Sequence, residues 1–144
     1  MNKTLFSIVI VISLCSAAQA SPSVDNTTLS AEARKGTEDG LKILNEKLPK
    51  MIDPDTRLDH AKFNDYNRLT HYYTLINISS KEGGAYRSAE VAKMATQMAA
   101  RQNCNTPAMR FLLEQGVILS HSFNANDGAH LMAVDVTRQD CNSL

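Results

Sequence analysis

Leu5 to Leu14 (LFSIVIVISL) is an almost unbroken apolar run of about ten residues, preceded by Lys3 and followed by Ala18-Gln19-Ala20. A positive start, a short apolar stretch and a small-x-small site together make an export signal. Cleavage is expected after Ala20, so that residues 1–20 leave as a signal peptide. The run is too short to cross a bilayer as a helix, and no stop-transfer pattern follows it, so no lasting membrane anchor is expected. The rest of the chain is therefore expected to fold outside the cytosol, in a periplasmic or secreted setting where thiols oxidise.

That setting governs the cysteines. Cys15 departs with the signal, and Leu14 occupies the place where a lipid-attachment site wants a small residue. Cys104 and Cys141 remain, and an even count in an exported chain reads as one disulfide. No Cys-x-x-Cys spacing suggests a redox pair.

About 120 mature residues suit one domain, expected over residues 29–144 behind a polar, flexible leader at 21–28. The chain carries 15 basic and 15 acidic residues, and loss of Lys3 leaves the mature form near −1. No block of like charge occurs. Nucleic acid and anionic membranes call for a basic stripe, so neither is an expected partner.

Ser30 can cap a first helix whose Leu41, Leu44 and Leu48 recur at helical spacing, with Pro49 and Pro54 closing it. Gly36 and Gly40 sit four apart on that helix. Thr56 to Asn64 and Asn67 to Ser79 predict two strands turning at Asp65-Tyr66; the second is rich in β-branched and aromatic residues. Ser88 opens a second helix with Val91, Met94, Ala95, Met98 and Ala99 on one face. Thr106-Pro107 opens a third, ended by Gly116. Val117 to Asn124 and Ala129 to Thr137 predict a second hairpin turning through Asp127-Gly128. The order α-β-β-α-α-β-β predicts an α+β fold: an antiparallel four-stranded sheet of two hairpins, helices packed on one face, and one disulfide.

All four histidines fall on predicted strands. A turn at Asp65-Tyr66 sets His60 opposite His71. A four-residue turn sets Phe123 opposite His130, with His121 diagonal to His130. Such pairs could hold zinc or copper, or titrate as a pH-sensing cluster. The plainer alternative is that histidine stands in for an aromatic residue near the mouth of the core.

No Gly-x-Ser-x-Gly, His-Glu-x-x-His, phosphate-binding glycine loop or dinucleotide fingerprint is present. In Ser120-His121-Ser122 the neighbours point to opposite faces of a strand, so no dyad forms. An enzyme is not expected, nor a cofactor.

The run Leu48-Pro49, Ile52-Asp53, Thr56-Arg57-Leu58-Asp59 and Leu69-Thr70-His71-Tyr72-Tyr73-Thr74-Leu75, continuing through Cys104, Pro107, Arg110, Leu112-Leu113, Gly116-Val117, Gly128 and Cys141, resembles a family of small exported bacterial proteins. That family has no settled activity, so the resemblance implies a fold and a compartment. Its members tend to carry tyrosine where this chain has His71 and His121. A fainter likeness is to the pilotins of secretion systems.

The leading expectation is a non-enzymatic periplasmic interaction protein that binds an envelope or secretion-system partner, by a hairpin edge or by the groove beside the first helix. A second copy of the chain is a further candidate partner. One alternative is an immunity or inhibitor protein that neutralises a toxic enzyme with the loop Lys81, Glu82, Gly83, Gly84, Ala85, Tyr86, Arg87. Another is a metal- or pH-responsive module built on the histidines.

Overall fold

Ser30 caps the first helix as its residue type dictates, its hydroxyl accepting from the Ala33 N–H at 3.2 Å. The computed structural model describes residues 29–143, so the expected signal and leader lie outside the described residues. Helix α1 (Ala31–Asn45) is followed by a cis Leu48–Pro49 peptide and a two-residue strand β1 (Lys50–Met51). Strands β2 (Thr56–Phe63) and β3 (Arg68–Leu75) form the first hairpin. A short 3-10 helix (Gly83–Arg87), α2 (Ala89–Asn105) and α3 (Pro107–Glu114) cross back over the sheet. Strands β4 (Ile118–Ala125) and β5 (His130–Val136) and a one-turn helix α4 (Arg138–Asn142) complete the chain.

The α+β class agrees with the sequence expectation; the sheet does not agree in detail. It has five strands in the order β1-β2-β3-β4-β5, and β3 pairs with β4 in parallel. The expected all-antiparallel, four-stranded sheet is therefore corrected to a mixed one. The reason lies in the connection. Two helices separate the hairpins, and a crossover of that length returns the chain parallel to the strand it left. Strand β1 escaped notice because two residues carry no alternation.

Helix α3 has proline in its first turn and ends at Gly116, whose φ of 78° is one that side chains rarely adopt. There the N–H groups of Gly116 and Val117 reach the carbonyls of Leu113 and Leu112 at 3.0 Å. Helix α2 begins as expected at Ser88, which accepts from Val91 N, but its expected apolar face is only partly right. Met94 and Met98 are exposed, and Ala100, Asn103 and Cys104 are the buried residues instead. Small alanines let α2 lie close on the sheet, with the long methionines turned outward.

The core lies between the helices and one sheet face: Leu69, Leu119, Val117, Leu113 and Val136, joined by Leu29, Ala61 and Ala100. Cys104 at the end of α2 is bonded to Cys141 in α4, Cα atoms 5.5 Å apart, which ties the helical layer to the end of β5.

The β2 edge is closed by a side chain. The Asn45 amide donates to the Ala61 carbonyl and accepts from the Ala61 N–H, both at 2.8 Å, as a paired strand would. Asn45→Ala should cost about 1–2 kcal/mol, because both backbone groups lose their protein partner. Urea unfolding checks this, and an unchanged midpoint would show that water replaces the amide without loss.

Candidate partner-binding groove

The register of both hairpins decides where the ring side chains go. In the first, three residues (Asp65, Tyr66 and Asn67) separate the paired Asn64 and Arg68, in place of the expected two. Asn64 Oδ1 accepts from the N–H groups of Tyr66 and Arg68 at 3.0 Å, and Asn67 takes a φ of 53°. The ladder slips by one, and a slip of one exchanges faces. His71 therefore pairs with Ala61, while a bulge at Asp59 brings His60 opposite Tyr72. The expected His60–His71 pair does not form. His60 stacks on Tyr72 at 4.3 Å, on the sheet face away from the core. Asp59 is held there by Arg57 Nε at 2.5 Å and by the Thr74 hydroxyl at 2.6 Å.

In the second hairpin Phe123 pairs with Met132 and His121 with Val134. A register shift then sets His130 opposite Asn124, and His130 is exposed. The expected His121–His130 neighbourhood is likewise corrected. Among the described residues no group of three or more His, Cys, Asp or Glu could hold a metal ion.

What the fold does bring together is a pair hidden from hairpin reasoning. The parallel β3–β4 ladder sets His71 beside His121 and Tyr73 beside Phe123, all on the helix-bearing face. They form a row of stacked rings: His71 on His121 at 5.5 Å, His121 on Tyr73 at 5.8 Å, Tyr73 on Phe123 at 5.0 Å. Helix α1 packs over β2 and α2 over β5, and the row runs along the strands between them, from buried His71 to Phe123 at its open end.

The floor has a defined polarity. Asn103 on α2 contacts His121 Nε2 through its Nδ2 at 2.8 Å, and an amide nitrogen can only donate. Neutral His121 then carries its proton on Nδ1 and donates it to the Tyr73 hydroxyl at 3.2 Å. Burial pushes the Tyr73 phenol up to about 12, so its own proton stays in place for an acceptor in the groove. His71 Nδ1 is buried without a hydrogen-bond partner among the described residues.

At one end of the row a pocket of about 570 Å³ is lined by Leu75, Phe123, Met132, Ile78 and Tyr86, with Asp53 and Asp55 at its margin. Above the opposite end a second, also about 570 Å³, lies between α1 and α3, lined by Ala33, Gly36, Thr37, Pro107, Phe111 and Leu112. Large apolar side chains stand exposed on α1, α2 and α3: Ile43 at 58%, Met98 at 73% and Phe111 at 52%. A Cβ at Gly36 or Gly40 would meet nothing within 4 Å, so these glycines keep the flank of α1 low and open.

The Lys81 to Arg87 segment does not project. Gly83 is buried, and a Cβ there would collide with the Leu131 side chain. Glu82 folds back onto the Ser79 N–H and hydroxyl. Tyr86 alone of the segment enters the groove, while Lys81, Gly84 and Arg87 are exposed.

Burial and the neighbouring His71 depress the His121 pKa to about 4, and burial alone lowers that of His71. The unfolded chain thus takes up a proton first, near the ordinary histidine value. The stabilisation from keeping His121 neutral is complete above about pH 6.5 and is lost as pH falls toward 4. A loss of about 3 kcal/mol is expected across that window. Urea midpoints at pH 7 and pH 4.5, in wild type and His121→Phe, measure it; equal pH slopes in the two would contradict it.

No family model matches the chain, and no curated protein matches it in sequence. Solved structures do share its fold. A Pseudomonas aeruginosa protein described as secreted superposes with a TM-score of 0.62 at 18% identity, over 74% of this chain and 90% of its own. EpsS, a pilotin of the Vibrio vulnificus type 2 secretion system, gives 0.57 at 13% identity, over 74% and 89%. AspS, a type II secretion pilotin of Vibrio cholerae, gives 0.52 at 16% identity, over 78% and 100%.

Proposed function

We propose that this protein is a non-enzymatic, exported docking protein that holds a segment of a secretion-system or other envelope partner in the groove between α1 and α2. The observation that carries the reading is the pocket at the Phe123 end of the ring row, beneath helices that carry exposed apolar side chains. Exposed apolar surface of this extent around a concavity marks an interaction site. The shared fold of the two pilotins supports a secretion-system partner. Export accords with the N-terminal apolar run and with the disulfide. The packed Lys81–Arg87 segment is not an inserting loop, so it lends no support to a toxin-plugging role.

The partner's apolar side chains would cover Tyr73, Phe123, Met132 and Tyr86, and the free Tyr73 hydroxyl would donate to a partner carbonyl or carboxylate. Phe123→Arg places a charge on that floor. It should abolish complementation of a deletion strain in a secretion assay while the protein still accumulates. His60→Ala, on the opposite sheet face, should complement fully. Full complementation by Phe123→Arg would refute the groove as the site.

A further inference from the structure

We propose that the stacked His71–His121 pair is an acid-operated latch on this groove: with both rings neutral, Asn103 ties α2 to β4, and a proton on His121 releases that tie and reshapes the floor. The inference concerns regulation of the groove described above, and only its consequence for a partner rests on that reading.

The argument is geometric. His121 Nε2 accepts from Asn103 Nδ2 at 2.8 Å, and this is the hydrogen bond by which α2 grips the central strands. Once Nε2 is protonated it can only donate, so the same contact sets two donors against each other. Asn103 is itself buried, and the latch opens by its withdrawal; an amide that turned over in place would offer Oδ1 to the new proton and keep α2 protected. A cation at His121 would also lie 5.5 Å, ring to ring, from His71, whose Nδ1 already lacks a partner.

The surroundings offer little relief. From β3 the facing group is the neutral Tyr73 hydroxyl, and from β2 it is Ala61 opposite His71. From β5, Asp135 favours the charged ring, but its carboxylate is engaged by Arg68 at 2.5 Å. The core-facing residues of α1, Ala33, Leu41 and Leu44, carry no charge, and Arg34 is spent on Asn64, Asn67 and the Phe63 ring. The helix that must yield lies on the sheet through small alanines, and the bond from Cys104, the residue after Asn103, to Cys141 keeps the C-terminal end of α2 attached while the seam loosens toward Val91.

The test needs no partner. Amide exchange of the oxidised exported protein, corrected for intrinsic rates, is followed by NMR from pH 7.5 to 3 alongside the His121 ring resonance. Protection of the α2 amides Val91 to Asn103 should fall at least tenfold further than that of the β2, β3 and β4 amides, with the midpoint of the His121 titration. In His121→Phe the α2 protection should no longer depend on pH. In His71→Phe, where the like charge is removed, the midpoint should move to higher pH.

Constant α2 protection while His121 titrates would overturn the latch. So would an unchanged pH dependence in His121→Phe, or an equal loss of protection in the central strands at the same midpoint. None of these outcomes touches the docking role, which the secretion assay tests separately.

Discussion

Replacing Cys104 and Cys141 by alanine should lower the stability of the fold by about 4 kcal/mol, the chain-entropy value for a loop of this size. The bond closes 37 residues of sequence, a stretch holding α3, β4 and β5. Its removal frees the unfolded chain more than it disturbs native packing, because α4 is held locally by a capping box in which Thr137 and Asp140 bond each other reciprocally. A fold of this size has a total stability on the order of 5–15 kcal/mol, so the loss is a large share of the whole. Urea unfolding of oxidised wild type, reduced wild type and the double variant measures it. The two disulfide-free states should agree with each other and fall well below the oxidised protein; three equal midpoints would contradict a structural role for the bond.

Leu119→Ala should cost about 3 kcal/mol, by lost burial and by the cavity left behind. Leu119 is fully buried, and it pairs with Leu69 on one side and Val136 on the other, both of them core residues. The site has little room to collapse, since both flanking residues are fixed by strand pairing. Ile118→Ala, one residue away on the opposite face and only half-buried, should cost about 1 kcal/mol. Equal losses at 118 and 119 would mean that the sheet is not one-sided as described.

The contrast between those neighbours shows what the chain declared in advance. Alternation along Val117 to Phe123 and Met132 to Val136 marked the buried face correctly, because period two survives any choice of strand partner. Ser30, Ser88, Pro107 and Gly116 marked helix ends through local chemistry that tertiary structure had no reason to override. The failures share one cause: pairing is not local. The Asn64 side chain holds a first turn one residue longer than expected, and that slip moves His60 away from His71. The second hairpin carries a shift of its own between Phe123 and Asn124, which separates His130 from His121.

The pair that matters, His71 and His121, lies fifty residues apart across a parallel ladder. Only the length of the two-helix crossover hinted at that ladder. Asn103 carried no signal at all, being one polar residue in a helix. The groove was foreseen only as a place beside the first helix; its ring floor needed the parallel pairing to exist.

Site-specific photocrosslinking in the native envelope tests the docking account most directly. A benzophenone side chain placed at Phe123, on the groove floor, should capture one envelope protein of the secretion machinery, and the same group at His60, on the opposite sheet face, should capture none. Adducts from position 60 with none from position 123 would contradict the account.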